Sequence, residues 1–187
     1  MGGVEDYCQE VNSYIGQIEA PADLKNVATS KYREYINPDN AYTRSPKLYA
    51  LAAIYLAARL EQYPLVVQDL EAEDFASSQI WQAFRHMCSE LEIQPDTHNP
   101  NIFVDRIHDE FPYADDQISS LAKELLSSVP SAVNGKRPNA IAAGAYYSAS
   151  IRVNNRIKQD LIADAANVSN LTIRKRYEGI DQKLREA

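Results

Sequence analysis

Residues 138–151, PNAIAAGAYYSASI, decide the fold of this chain. They include no charged residue, so a helix formed by them would be apolar around its whole circumference and would have to be enclosed by other helices. Residues 48–58 are uncharged in the same way. A proline, Pro46 or Pro138, stands at the start of each stretch, where the first turn of a helix accepts it. The sequence therefore predicts two buried central helices.

The two halves of the chain match each other at a nearly constant offset. Arg44-Ser45-Pro46 corresponds to Lys136-Arg137-Pro138 at an offset of 92 residues. The same offset relates four positions of the first uncharged stretch to four of the second: Ala52 to Gly144, Ala53 to Ala145, Tyr55 to Tyr147 and Ala57 to Ala149. Self-similarity of this kind indicates an internal duplication.

Apolar residues at helical spacing surround each central stretch. Helices are predicted at about 4–18, 22–35, 47–61, 67–75 and 78–92, and the same order returns in the second half. Two prolines and a lack of periodicity in residues 93–100 predict a linker. We therefore expect an all-α protein of ten helices in two tandem five-helix repeats, residues 1–94 and 95–187.

Composition excludes several classes of protein. The longest uncharged apolar runs are shorter than the ~20 residues that a membrane span needs. The first residues lack a basic segment followed by an apolar one, so no signal peptide is expected and the location should be intracellular. The two cysteines, Cys8 and Cys88, have no ligand spacing, so neither a zinc site nor a disulfide framework is expected.

Charge is unevenly distributed along the chain. The net charge is −7, and residues 1–94 account for it with 7 basic against 14 acidic side chains. Residues 134–187 carry 10 basic against 5 acidic side chains. A polyanion responds to the local field, so the acidic total does not exclude nucleic acid as a partner of the C-terminal region.

That region has the outline of a helix-turn-helix. Two short helical patterns flank Asn167-Val168-Ser169, and Asn167 tolerates the left-handed conformation that a tight turn uses. Val168, Ile173 and Tyr177 can face inward while Leu171, Arg174 and Lys175 face outward. The second helix of such a motif enters the major groove of DNA.

The candidate site residues follow from this outline. Arg174 could offer its guanidinium to guanine, and Leu171 could contact a thymine methyl group. Basic and hydroxyl side chains around the central helix and the turn suit phosphates: Lys136, Arg137, Arg152, Arg156, Lys158, Thr172, Lys175 and Arg176. In isolation, three consecutive basic residues are more typical of a solvated helix face, and it is their setting in the helix-turn-helix outline that favours contact with DNA.

The chain resembles a known family over nearly its whole length, strongly in residues 134–180, moderately in 44–92 and weakly in the two leading helices of each repeat. Arg137-Pro138, Ile141-Ala142-Ala143, Ala149-Ser150, Ile162-Ala163 and Leu171-Thr172-Ile173-Arg174 are similar to the second cyclin-like repeat of transcription factor IIB and archaeal transcription factor B. The resemblance implies two cyclin-like repeats that bind promoter DNA and the TATA-binding protein, with RNA polymerase as a further partner. It implies that Leu171 and Arg174 contact the recognition element beside the TATA box. The location would then be cytoplasmic, with the nucleoid, in an archaeon and nuclear in a eukaryote.

The sequence departs from the family in two ways, and these departures leave other functions open. Residues 1–187 contain no cysteine pair that could hold the zinc of the ribbon that precedes the repeats in the family, as expected if the chain is the core of a longer protein, and the first repeat is acidic. A cyclin-box scaffold that binds a protein partner, or a regulator that does not recruit polymerase, is therefore the alternative, whereas a kinase-activating cyclin is disfavoured.

An enzyme is not expected. His86, His98 and His108 are scattered without any pattern of catalytic partners, and no phosphate-binding glycine loop or nucleophile motif is present. No cofactor or metal is implied. Trp81 and Phe84 are expected in the core.

Overall fold

A computed structural model describes residues 4–36, 45–71, 74–130 and 135–186. Within these ranges the chain forms nine α-helices and one 3-10 helix, which confirms the predicted all-α class. The chain divides into two compact units, Met1–Asp96 and Thr97–Ala187. That the two halves are separate domains with a boundary after residue 94 stays a prediction. Arg44, which helped to define the repeat, lies outside the described residues.

The helices of the first unit are α1 (Val4–Gln17), α2 (Ala22–Tyr35), α3 (Pro46–Leu60), a 3-10 helix (Val67–Leu70) and α4 (Ser77–Glu90). Those of the second unit are α5 (Pro100–Asp109), α6 (Asp116–Ser128), α7 (Pro138–Arg152), α8 (Gln159–Ala166) and α9 (Asn170–Glu186).

The two uncharged stretches form the central helices of their units. Every residue of 49–58 in α3 is buried, and so is every residue of 139–150 in α7. Helices α1, α2 and α4 pack on α3, while α5, α6, α8 and α9 pack on α7. Pro46 and Pro138 are the first residues of these helices. The enclosure predicted from the lack of charge is therefore confirmed.

The central helices also end alike. Gln62 and Asn154 lie 92 positions apart, and both adopt the left-handed conformation, with φ of 50° and 57°. In each case the next residue donates its amide to a carbonyl five positions back, from Tyr63 to Ala58 at 2.9 Å and from Asn155 to Ser150 at 3.1 Å. This pairing caps the last turn of a helix after a left-handed residue, so the duplication extends to the backbone.

The fourth helix of the first unit is shorter than predicted. A helix was expected over residues 67–75, but the structure has only the four-residue 3-10 helix Val67–Leu70, and residues 72–73 lie outside the described ranges. Glu71 leaves the helical conformation (φ −59°, ψ 132°). Its Oε1 accepts a hydrogen bond from the amide of Ser77 at 3.1 Å. Glu71 thus belongs to the connection into α4, and this explains why the helix does not continue.

Trp81 corrects a second expectation. Phe84 is 4% exposed, as predicted for the core, but Trp81 is 38% exposed. The Trp81 ring contacts the rings of Tyr55 and Phe84 at centroid distances of 5.9 and 5.1 Å. These contacts cover the indole only in part, so Trp81 lies at the surface of α4.

None of the helices in the described ranges has the length and apolar character required to cross a membrane.

Candidate nucleic-acid interface

Helices α8 and α9 are joined by the three residues 167–169, and the turn has a defined geometry. Asn167 follows the last residue of α8 and is left-handed, with φ of 52° and ψ of 54°. The amides of Asn167 and Val168 donate to the carbonyls of Asp164 and Ala163 at 3.1 and 2.9 Å. These bonds satisfy carbonyls that a helix end leaves without a partner. The direction in which the chain enters α9 is therefore set by Asn167.

Ser169 caps the start of α9. Its Oγ accepts a hydrogen bond from the amide of Thr172 at 3.2 Å and lies 2.9 Å from Oγ1 of Thr172. A serine in this position satisfies one of the amides that begin a helix. The hydroxyl of Thr172, a predicted backbone contact, is thus shared with the cap.

One face of α9 packs tightly against α7. Ile173 and Ile180 are fully buried. Gly144 of α7 lies opposite Arg176 and Tyr177, and a Cβ placed on Gly144 would be 2.5 Å from Cβ of Arg176 and 3.0 Å from the amide nitrogen of Tyr177. The absence of a side chain at Gly144 is what lets the two helices approach this closely.

Polar contacts hold α9 further along. Asp181 is 17% exposed, and its Oδ1 accepts hydrogen bonds from Oγ of Ser148 at 3.1 Å and from Nη2 of Arg152 at 2.9 Å. The Nε of Arg152 also donates to Oγ of Ser148 at 3.2 Å. Arg152 therefore helps to pack α9 on α7, while its predicted phosphate contact stays a prediction.

Replacing Arg152 by alanine should destabilise the chain by about 1 kcal/mol, because Asp181 would keep its largely buried carboxylate and lose its cationic partner. The matched control is Lys158→Ala, a change at an exposed residue that should shift the free energy of unfolding by less than about 0.5 kcal/mol. Urea denaturation of both variants measures the difference. Equal unfolding free energies would contradict the packing role of Arg152.

The opposite face of α9 is open to solvent. Leu171 is 60% exposed, and the Arg174 side chain is 70% exposed. The Nε of Arg174 donates to Oε1 of Glu178, one turn further on, at 2.9 Å. Because this contact uses Nε, it does not occupy the two terminal nitrogens of the guanidinium. Lys175 is exposed beside Arg174. The residues predicted to contact bases therefore share one accessible face.

A basic groove lies beside this face, where the start of α7 meets the turn between α8 and α9. Its volume is about 900 Å³, and four of the predicted phosphate contacts line it: Lys136, Arg137, Thr172 and Arg176. The Nε of Arg176 is buried and has no hydrogen-bond partner among the described residues. A buried donor without a partner is costly, so a ligand that accepts hydrogen bonds would be favoured here. Asp164 is the acidic residue on the lining.

Arg156 and Lys158 lie at a second, smaller groove. Its volume is about 380 Å³, and Tyr147 and Asn170 also line it. The Nη2 of Arg156 donates to the hydroxyl of Tyr147 at 2.9 Å, and its guanidinium carbon lies 5.9 Å from the centroid of that ring. Arg156 is thereby held in one orientation, whereas Lys158 is exposed at the start of α8.

Three features of this region were not singled out from the sequence. Asn139 and Ser148 are buried polar residues inside the uncharged stretch, and Gly144 is the contact point for α9. A polar residue within a run that must be enclosed needs a hydrogen-bond partner, so Asn139 could have been identified on that ground. The partner itself could not, because it lies 27 positions away in the chain.

The architecture defines a class of protein: a duplicated all-α chain whose second unit exposes a basic helix beside a basic groove. The model of the transcription factor TFIIB repeat matches residues 78–183, which is more than half of the chain. The chain belongs to this family. It is a family of transcription factors and not of enzymes, and its tandem cyclin-like repeats agree with the two helical units.

Named relatives come from several archaea. Transcription initiation factor IIB 3 of Halobacterium salinarum is 27% identical over 172 residues, covering 90% of this chain and 54% of the relative. Transcription initiation factor IIB 2 of Thermococcus kodakarensis is 29% identical over 178 residues, covering 94% of this chain and 58% of the relative. Transcription initiation factor IIB 2 of Thermoplasma acidophilum is 27% identical over 179 residues, covering 94% of this chain and 58% of the relative. The chain thus spans little more than half the length of these relatives.

Proposed function

We propose that this chain acts as the repeat region of a TFIIB-type transcription initiation factor. In this proposal it binds promoter DNA together with the TATA-binding protein, and α8 and α9 form a DNA-binding helix-turn-helix. Membership of the family and the names of the relatives support the general role. Contact with RNA polymerase and a location with the nucleoid stay predictions.

The observation that carries the proposal is the pairing of the exposed face of α9 with the basic groove. Leu171 and Arg174 are accessible on a helix whose other face is buried, as a helix inserted into a major groove requires. Lys136, Arg137 and Arg176 line the adjacent groove, where phosphate oxygens would satisfy the buried Nε of Arg176. Base contact and phosphate contact would then come from neighbouring surfaces.

The charge distribution indicates that the chain binds a partner protein as well as DNA. The first 94 residues carry the entire net charge of −7, and this opposes the phosphates, whereas residues 134–187 carry twice as many basic as acidic side chains. A partner already bound to the promoter would supply part of the affinity. We therefore expect weak binding to duplex DNA alone at physiological salt and tighter binding when the TATA-binding protein is present.

The salt dependence of binding tests the proposal. The logarithm of the binding constant should fall linearly with the logarithm of salt concentration, and Arg156→Ala or Lys158→Ala should each make the slope shallower by about one. The effect should be the same for every DNA sequence, because phosphate contacts carry no base information. Fluorescence anisotropy with a TATA-box duplex, with and without TATA-binding protein, measures the slope.

Arg33→Ala is the matched control, since Arg33 is exposed on α2 in the acidic unit, and its slope should equal that of the wild type. Nanomolar binding to arbitrary duplex without a partner would contradict the expected weakness.

A protein-interaction scaffold is the second candidate, and the acidic first unit favours it. Such a protein would bind its partner without DNA, and it would show no salt-dependent binding to the TATA-box duplex in either condition. That outcome would replace the proposed function.

A further inference from the structure

Asn139 is a buried amide at the start of the central helix α7. It is 6% exposed, and its Nδ2 donates a hydrogen bond to the carbonyl oxygen of Ala166 at 2.9 Å. Ala166 is the last residue of α8. The carbonyls of the last turn have no partner within their own helix, so Asn139 supplies one of the donors that this end needs.

The position of this bond couples it to the turn. Asn167, which follows Ala166, carries the left-handed conformation, and Ser169, two residues later, caps α9. A shift of the Ala166 carbonyl would therefore move the point at which the chain enters α9. Leu171 and Arg174 lie in the first turns of α9, so their placement depends on the end of α8.

The equivalent position in the first unit is built differently. The offset of 92 residues pairs Asn139 with Lys47, whose Nζ contacts Oδ2 of Asp74 at 2.5 Å. The side chains of Lys47 and Asp74 are 40% and 58% exposed. An exposed ion pair is screened by salt and holds its partners loosely, whereas a buried amide bond has a narrow geometry. The buried version occurs in the unit whose next two helices carry the proposed DNA contacts.

We propose that Asn139 is a positioning residue for base recognition. It fixes the end of α8 through the carbonyl of Ala166 and thereby holds Leu171 and Arg174 in register with the DNA bases. This inference rests on the proposed function, because Asn139 would affect the DNA contacts of Leu171 and Arg174 without touching DNA itself.

The test compares Asn139→Ala and Asn139→Leu with Ser150→Ala. The two Asn139 variants both remove the donor, and the leucine keeps most of the side-chain volume. Ser150 is the matched control, since it is also buried in α7, and its Oγ donates to the carbonyl of Tyr147 within the same helix at 2.8 Å. All three variants lose one buried hydrogen bond, but only Asn139 is connected to α8.

Two measurements are needed. The first is competition binding of each variant, with TATA-binding protein, against duplexes that differ by one base pair beside the TATA box. The second is hydrogen exchange at the amide of Val168, which donates to the carbonyl of Ala163 at 2.9 Å. This second measurement requires no DNA. For both Asn139 variants we expect the preference at one base position to fall by about fivefold or more, which is the low end of what one good side chain to base contact supplies. We also expect faster exchange at Val168, with an unchanged salt slope.

The outcomes separate the inference from the proposed function. Base preferences equal to those of the wild type in both Asn139 variants would overturn the inference and leave the proposed function standing. An equal loss of preference in Ser150→Ala would also overturn it, because general destabilisation would then be the cause. A wild-type protein without any base preference would overturn the proposed function and, with it, the recognition role of Asn139, even if Val168 exchanged faster in the variants.

Discussion

Gly144→Ala is expected to destabilise the chain by about 2 kcal/mol and to weaken DNA binding, because the helix that it displaces carries Leu171 and Arg174. Two effects oppose each other. Alanine is a better helix former than glycine by up to about 1 kcal/mol. Against this, the new Cβ would lie 2.5 Å from Cβ of Arg176 and 3.0 Å from backbone atoms of α9. Overpacking of this kind costs about 1–3 kcal/mol, and here the high end applies because no flexible side-chain end can move aside.

Gly179→Ala is the control for this prediction. Gly179 lies within α9, and a Cβ there would meet nothing within 4 Å. The same substitution should therefore stabilise the chain by up to about 1 kcal/mol and leave DNA binding unchanged. Chemical denaturation and anisotropy measure the two quantities for both variants. If Gly144→Ala proved as stable as Gly179→Ala, the close approach of α7 and α9 would not be a constraint.

The second large effect concerns specificity at Arg174. Arg174→Ala should lose about 1–3 kcal/mol of discrimination at one base position, because the guanidinium is exposed on α9 and its terminal nitrogens can form a fork to guanine. Arg174→Lys keeps the positive charge but not the fork, so it should lose most of the same discrimination while retaining the salt slope. Competition against single-base variants beside the TATA box is the measurement.

Arg185→Ala serves as the charge control on the same helix. Arg185 is exposed near the end of α9, about four helical turns after Ser169. Its replacement by alanine should leave base preference unaltered. A uniform loss of affinity in Arg174→Ala, with no position at which preference relaxes, would make Arg174 a phosphate contact. No loss at all would favour the protein-interaction scaffold.

The central helices could be predicted from the sequence because their signal does not depend on distant residues. A run of more than ten uncharged residues has to be enclosed wherever it lies, and the match at an offset of 92 repeats that signal. The 3-10 helix at Val67–Leu70 was predicted as a longer helix, since the pattern of apolar residues continues past it. In the structure Glu71 leaves the helical conformation and accepts a hydrogen bond from Ser77 of α4, a contact that the apolar pattern does not indicate.

In the candidate site, too, local features could be predicted from the sequence and contacts between distant residues could not. The exposed face of α9 follows from helical periodicity, so the accessible positions of Leu171 and Arg174 could be inferred. The ion pair of Arg152 with Asp181 and the bond from Asn139 to Ala166 could not, because each joins residues that only the packing of α8 and α9 on α7 brings together. Arg152 therefore bonds to α9 although its side chain is 44% exposed, and its place in the sequence does not distinguish it from the other basic residues.

The residues that attach α9 to α7 are different from the residues on its accessible face. Gly144 and Asp181 act on the face of α9 that is packed against α7, whereas positions 171, 174 and 175 contribute little to the core. Substitutions at those three positions should then alter base preference at almost no thermodynamic cost to the scaffold. A combinatorial library confined to them would keep its members folded, so that selection on DNA could isolate variants with new target sequences from a single parent chain.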